Sequence, residues 1–215
     1  MCEELARSPL CLTIPGFGGS GPDHWQTLWE RSRHDCERVE LGSWGSPSRN
    51  SWVSAIERSV RGADAPIIFV AHSLGCHAVA WWAQLMAGEG ATGLVVGALL
   101  VAPPDVERAD SHSLLSRFSP SPRHALPFPS ILVASSNDPF ASVARSREMA
   151  GNWMSDFVEI GEAGHINEAS GLGMWREGQA LLEQLCDARE RKGELREMLR
   201  QPAARPPALQ VLELS

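Results

Sequence analysis

The chain has 215 residues, 43% of them hydrophobic and 21% charged, which fits one domain with a sizeable core. Its formal net charge of −7 disfavours nucleic acid or an anionic membrane as a partner. The five cysteines have spacings that suit neither a metal knuckle nor a disulfide scaffold, so free thiols in a reducing compartment are expected. Met1-Cys2-Glu3-Glu4 is acidic where a secretory leader needs basic residues. The longest apolar stretch, Leu94 to Pro104, is too short to span a bilayer. A cytoplasmic location is expected.

Leu10 to Ile14 reads as a short buried strand, ended by the Gly-rich Pro15-Gly16-Phe17-Gly18-Gly19-Ser20-Gly21. Asp23 is a candidate N-cap for a helix from His24 to Arg33, with Trp25, Leu28 and Trp29 at helical spacing. Arg38 to Leu41 reads as a strand. Asn50 or Ser51 could cap a helix from Trp52 to Val60. Ile67 to Ala71 is a continuous apolar run, followed by a helix from Cys76 to Met86. Gly93 to Val101 is a second such run. Runs apolar on both faces suit the centre of a parallel sheet covered by helices. After a weak helix near Ser111 and a Ser/Pro-rich loop come strand Ser130 to Ala134, helix Ala141 to Met149 and strand Asp156 to Ile160. A helix from Trp175 to about Leu199 closes the domain. Residues 1–200 thus form a single α/β domain, with strands and helices alternating around a mainly parallel sheet. Residues 201–215 read as a Pro-rich connector and short tail.

The apolar run at Ile67 ends in Ala71-His72-Ser73-Leu74-Gly75, directly before a helix. Strand, sharp turn bearing Ser, helix is the layout of a nucleophile elbow, whose usual pattern is Gly-x-Ser-x-Gly. Small flanking residues are needed because the backbone passes close by. Ala71 replaces the first Gly, a departure of one methyl. A Ser hydroxyl also needs a base, a group that orients the base, and donors for the oxyanion. In this fold their chain order is Ser, acid, His. Asp138, just past strand Ser130 to Ala134, and His165, after the last short strand, follow Ser73 in that order. All three fall at the carboxyl ends of strands, where open α/β sheets gather ligands. Asp105 is a rival acid, and Asp138 could instead be a turn residue before Pro139. The oxyanion donors would be the backbone N–H groups of Leu74 and Phe17. The Gly-rich loop also contains Gly-x-Gly-x-x-Gly, a weak dinucleotide alternative with Glu40 near the expected distance of its acid. His72 and His77 read as local packing or polar residues, and Cys76 as a buried, inert thiol. Trp25, Trp44 and Trp52 are near loops that should rim the site, where they could form an apolar acyl pocket, although core packing suits each of them too.

Several of these pieces together resemble a known family. They are Ile14-Pro15-Gly16-Phe17-Gly18-Gly19-Ser20 with Asp23-His24-Trp25, Ser43-Trp44, and Val70-Ala71-His72-Ser73-Leu74-Gly75. Val101-Ala102-Pro103-Pro104, Ser136-Asn137-Asp138-Pro139 and Gly164-His165-Ile166-Asn167 follow in the same order. Over about residues 10 to 187 the chain is similar to the small α/β-hydrolase serine hydrolases of the YdeN and retinoblastoma-binding-protein type. The resemblance implies a three-layer α/β-hydrolase-like sandwich without a large lid, a catalytic set of Ser73, Asp138 and His165, and no metal or organic cofactor. Some such proteins carry a Leu-x-Cys-x-Glu motif for retinoblastoma protein. Here Leu74-Gly75-Cys76-His77-Ala78 lacks the Glu, so that partner does not carry over. The expected activity is hydrolysis of a small carboxylic ester. A binding or regulatory protein on the same fold, an acyltransferase and an amidase remain alternatives.

Overall fold

The computed structural model describes residues 9–86, 91–109 and 113–187. The connector and tail, the helix beyond residue 187 and the centre of the weak helix near Ser111 lie outside the described residues. Strands and helices alternate: β1 (Leu10–Ile14), α1 (Trp25–Ser32), β2 (Cys36–Arg38), α2 (Arg49–Gly62), β3 (Ile67–His72), α3 (Leu74–Met86), β4 (Val95–Val101), β5 (Ser130–Ala134), α4 (Val143–Trp153) and β6 (Asp156–Glu159). A last helix, α5, covers 176–187.

One sheet holds all these strands in the order β2-β1-β3-β4-β5-β6, and every neighbouring pair is parallel. The apolar runs at β3 and β4 take its centre, with every residue of β3 buried. Alternate side chains of β3 feed opposite faces, as a period of two requires. Phe69 and Ala71 join a core with Trp52, Ile56, Val79, Trp82 and Trp153, from α2, α3 and α4. Ile68 and Val70 join another core with Trp25, Trp29, Trp175 and Leu182, from α1 and the region of α5. The result is a three-layer α/β sandwich, as expected.

The chain leaves β1 for β2 on one side and returns to β3 on the other. The strand order therefore reverses between β1 and β3, which opens a crevice above their carboxyl ends. The loop after β1 and the turn after β3 face each other there.

Several boundaries differ from expectation. The second strand is Cys36–Arg38 rather than Arg38 to Leu41, because its partner among the described residues, β1, pairs Thr13 with Arg38 and ends one residue later. Val39 and Leu41 remain buried but lie beyond the ladder. Asp23 does not cap α1. His24 does, its Nδ1 accepting the Gln26 N–H at 3.1 Å. Helix α2 begins at Arg49, with Ser48 rather than Asn50 or Ser51 at the cap position.

Candidate active site

The turn after β3 is set by crowding. Ser73 adopts φ 54°, a left-handed conformation that costs a residue with a Cβ about 1–2 kcal/mol. Its N–H donates to the Val101 carbonyl at 2.8 Å, and its carbonyl accepts the Cys76 N–H at 3.0 Å. A Cβ on Gly75 would run into the Ile14 carbonyl, so only Gly fits. A Cβ on Gly16 would lie 2.7 Å from Ser73 Cβ and 3.0 Å from its Oγ. Ala71, the departure from the usual pattern, is fully buried in the core shared with Ile14 and Leu74, so its methyl has a place.

Asp138 and His165 come from other strand ends. His165 Nε2 is 2.8 Å from Ser73 Oγ. His165 Nδ1 is 2.9 Å from Asp138 Oδ2 and 3.1 Å from Oδ1. The same Oδ1 accepts the Phe140 N–H at 2.9 Å. Only 4% of the Asp138 side chain and 11% of the His165 side chain are exposed, so solvent screens these contacts weakly. Two ties join the loops that carry them: Asn137 Oδ1 accepts the Gly164 N–H at 2.7 Å, and Ser135 Oγ accepts the Ala163 N–H at 2.9 Å. The rival acid, Asp105, is engaged elsewhere. It pairs with Arg145 at 3.2 Å and accepts the Glu107 N–H.

Ser73 and His165 open onto a cavity of about 430 Å³, within the range of small-molecule sites. Phe17, Leu115 and Phe140 give it apolar walls, while Asn167 and Glu168 bring polar groups. Phe17 and Phe140 are 40% and 39% exposed, and the Phe140 ring meets the His165 ring at 4.5 Å. The amide of Leu74, first residue of α3, has no carbonyl one turn earlier in its own helix to bond. Phe17 also lines this cavity, on the loop from β1.

None of the three tryptophans expected at the pocket lines this cavity. Trp25 and Trp52 are each 1% exposed, on opposite faces of the sheet. Trp44 packs over Gly19 and against Trp52. Glu40 lines a separate cavity with Trp52 and Arg58, which shares no residue with the cavity that the Gly-rich loop lines.

His24, His72, His77 and the Cys76 thiol around the turn are all buried. His77 donates from Nε2 to the Pro104 carbonyl at 2.8 Å, and burial pushes its pKa down to about 4. His72 donates from Nε2 to the His165 carbonyl at 2.9 Å, and burial holds it well below the ordinary imidazole range. Its ring stands 5.0 Å from that of His165 and 4.7 Å from that of His24. His24 is likewise lowered by burial, to about 4. Burial pushes the Cys76 thiol up, which leaves it a poor nucleophile. Among the described residues no group of three or more His, Cys, Asp or Glu side chains is placed to hold a metal.

Sequence reasoning missed Phe140 and Glu168 at the cavity, and read His72 as a local packing or polar residue without a partner at His165. Position was the available signal: Phe140 follows Asp138 by two residues and His72 directly precedes Ser73.

Comparisons with known proteins bear on the family and the fold. The family model described as Serine hydrolase matches residues 11–184. A solved YdeN-like hydrolase from Pectobacterium atrosepticum is 31% identical, with a TM-score of 0.73 over 85% of this chain and 92% of that one. The ydeN product of Bacillus subtilis is 19% identical, with a TM-score of 0.66 over 82% and 98%. Est1E from Butyrivibrio proteoclasticus, solved with ferulic acid, is 14% identical, with a TM-score of 0.59 over 85% and 91%. Comparison with curated proteins gives no match. The match across most of the chain, with the first of these structures, makes the protein a member of the YdeN-like serine hydrolase family, on an α/β-hydrolase fold.

Proposed function

We propose that this serine hydrolase cleaves small carboxylic esters through an acyl-enzyme on Ser73. One observation carries the reading: the unbroken hydrogen-bonded line Asp138–His165–Ser73, at 2.9 Å and 2.8 Å, opening onto the cavity.

His165 Nε2 takes the Ser73 proton as Oγ attacks the ester carbonyl. Asp138 keeps the Nδ1 proton in place and stabilises the imidazolium. The oxyanion meets the N–H groups of Leu74 and Phe17. Collapse breaks the carbon–oxygen bond, and His165 returns the proton to the departing alcohol. His165 then deprotonates a water, which attacks the acyl carbon. Release of the carboxylic acid restores Ser73 with its proton. Phe17, Leu115 and Phe140 would receive an apolar acyl group, and the cavity of about 430 Å³ limits its size. Ferulic acid, the molecule bound to Est1E, is itself a carboxylic acid, the product class of this reaction. Amide cleavage and acyl transfer use the same acyl-enzyme and differ only in leaving group and acceptor.

p-Nitrophenyl acetate, butyrate and octanoate, each beside the matching anilide, test the reading. We expect a burst of p-nitrophenol followed by steady turnover, esters ahead of anilides, and loss of both phases in Ser73→Ala. Folded wild-type protein that turns over no ester, or undiminished turnover in Ser73→Ala, would refute it.

A further inference from the structure

The base sits in an awkward stretch of backbone. Gly164 before it has φ 57° and Ile166 after it has φ 50°. Left-handed φ suits Gly, but a β-branched residue rarely adopts it. Ile166 is nonetheless fully buried, its side chain seated in the core with Val70 and Val101. A turn strained in this way persists only when its surroundings over-determine it. The contacts to Asp138 and Ser73 hold the ring of His165, not its backbone.

Beyond the ties from Asn137 and Ser135 to the N–H groups of Gly164 and Ala163, two side chains hold the carbonyls of the base and of the residue after it. His72 Nε2–H donates to the His165 carbonyl at 2.9 Å. Trp25 Nε1–H donates to the Ile166 carbonyl at 2.8 Å. Both donors are rigidly mounted. His72 is the last residue of β3, is 4% exposed, and meets His24 edge to face. Trp25 is 1% exposed and packed edge to face between Trp29 and Trp175, at 4.9 Å and 5.0 Å. His72 also adjoins Ser73. One strand end therefore carries the nucleophile and grips the backbone of its base, which ties their separation to a single rigid element. Neither bond serves an ordinary ladder or cap.

We propose that His72 and Trp25 are positioning residues for the base, their ring N–H groups clamping the carbonyls of His165 and Ile166 so that His165 Nε2 stays within reach of Ser73 Oγ. This rests on the Ser73–His165 reading above.

The test compares full-length wild type with His72→Phe, which keeps a ring and loses the donor, His72→Gln, which keeps a donor, and Trp25→Phe. Active sites are titrated with a fluorophosphonate, and kcat and KM are measured with p-nitrophenyl butyrate. The downfield proton resonance of His165 Nδ1–H, assigned by its absence in His165→Ala, reports the geometry of the base directly. Because misplacement by about 1 Å can cost about 100-fold, His72→Phe should lose about 10- to 100-fold in kcat per titrated site. KM should stay within about twofold, as befits an interaction felt in the transition state. The resonance should shift or vanish, and His72→Gln should recover part of both. Trp25→Phe should act in the same direction, more weakly, and decides the matter if His72→Phe does not fold. Folded variants with unchanged resonance and kcat per titrated site within about twofold of wild type would overturn the clamp, whatever their loss of stability. A wild type that is inactive and unlabelled would refute the ester-hydrolase reading instead. The resonance would still decide the clamp in that case, since a signal present in wild type and altered in His72→Phe supports it and an unaltered one overturns it.

Discussion

Replacing Asp138 by Asn tests how the base is held. Asp138 Oδ1 accepts the Phe140 N–H at 2.9 Å, while Oδ2 takes the shorter contact to His165 Nδ1, also 2.9 Å. An Asn of the same shape would keep its oxygen on the Phe140 amide and turn its NH₂ toward Nδ1. Two donors then face each other, unless His165 moves its proton to Nε2. In that tautomer Nε2 is a donor and cannot take the Ser73 proton. The change to the wrong tautomer costs about 10⁴-fold in kcat where such a set has been studied, or about 5 kcal/mol of transition-state stabilisation. With 4% of the Asp138 side chain exposed, little water is at hand to relieve the mismatch. Asp105→Asn is the control. It weakens an ion pair with Arg145 whose side chains are 14% and 19% exposed, which is worth about 1 kcal/mol of stability and should leave kcat within about twofold. The assay is kcat with p-nitrophenyl butyrate, with thermal unfolding as a check on folding. A larger loss in Asp105→Asn, or an Asp138→Asn enzyme within tenfold of wild type, would refute the argument.

Other consequences follow from the same geometry. Gly16→Ala places a Cβ 2.7 Å from Ser73 Cβ; it should cost about 100-fold in kcat/KM by displacing the nucleophile, and wild-type kinetics would contradict this. Ala71→Gly restores the usual pattern but removes a fully buried methyl from a strand; urea unfolding should show a loss of about 1–2 kcal/mol, with no gain in kcat. His77 is fully buried, and its pKa falls from 6.5 to about 4 on folding. Its contribution to stability is therefore complete above pH 6.5 and is lost as pH falls toward 4, because the unfolded chain binds the proton first. Across that window the loss is about 3 kcal/mol. His77→Gln should show a correspondingly shallower acid dependence in urea unfolding, and an identical slope would refute the assignment.

The sheet was readable because β3 and β4 are uninterrupted apolar runs, and only a strand covered on both faces tolerates that. The start of α1 was not, because an imidazole nitrogen at His24 accepts a hydrogen bond as a carboxylate at Asp23 would. The end of β2 was decided by the length of its neighbour β1, which no local pattern in Arg38 to Leu41 reports. In the site, Ser73 was visible through a local requirement: the small residues that its tight turn needs. Asp138 and His165 were proposed through chain order and strand ends, Asp105 falling too early in the chain for the usual acid position; in the structure Asp105 pairs with Arg145. The cavity walls were unreadable. Trp25 and Trp52 follow helical spacing whether they face a cavity or the core, whereas Phe17 and Phe140 lie in loops without periodicity. The bond from His72 joins two positions far apart in the chain, so nothing local announces it.

The central claim is that Ser73 is a nucleophile driven by His165. Its most direct measurement is intact-protein mass after treatment with a fluorophosphonate, followed by peptide mapping. One adduct per chain, located on Ser73 and absent from Ser73→Ala and His165→Ala, is the predicted result. An adduct on another residue, or equal labelling of Ser73 in folded His165→Ala, would contradict it.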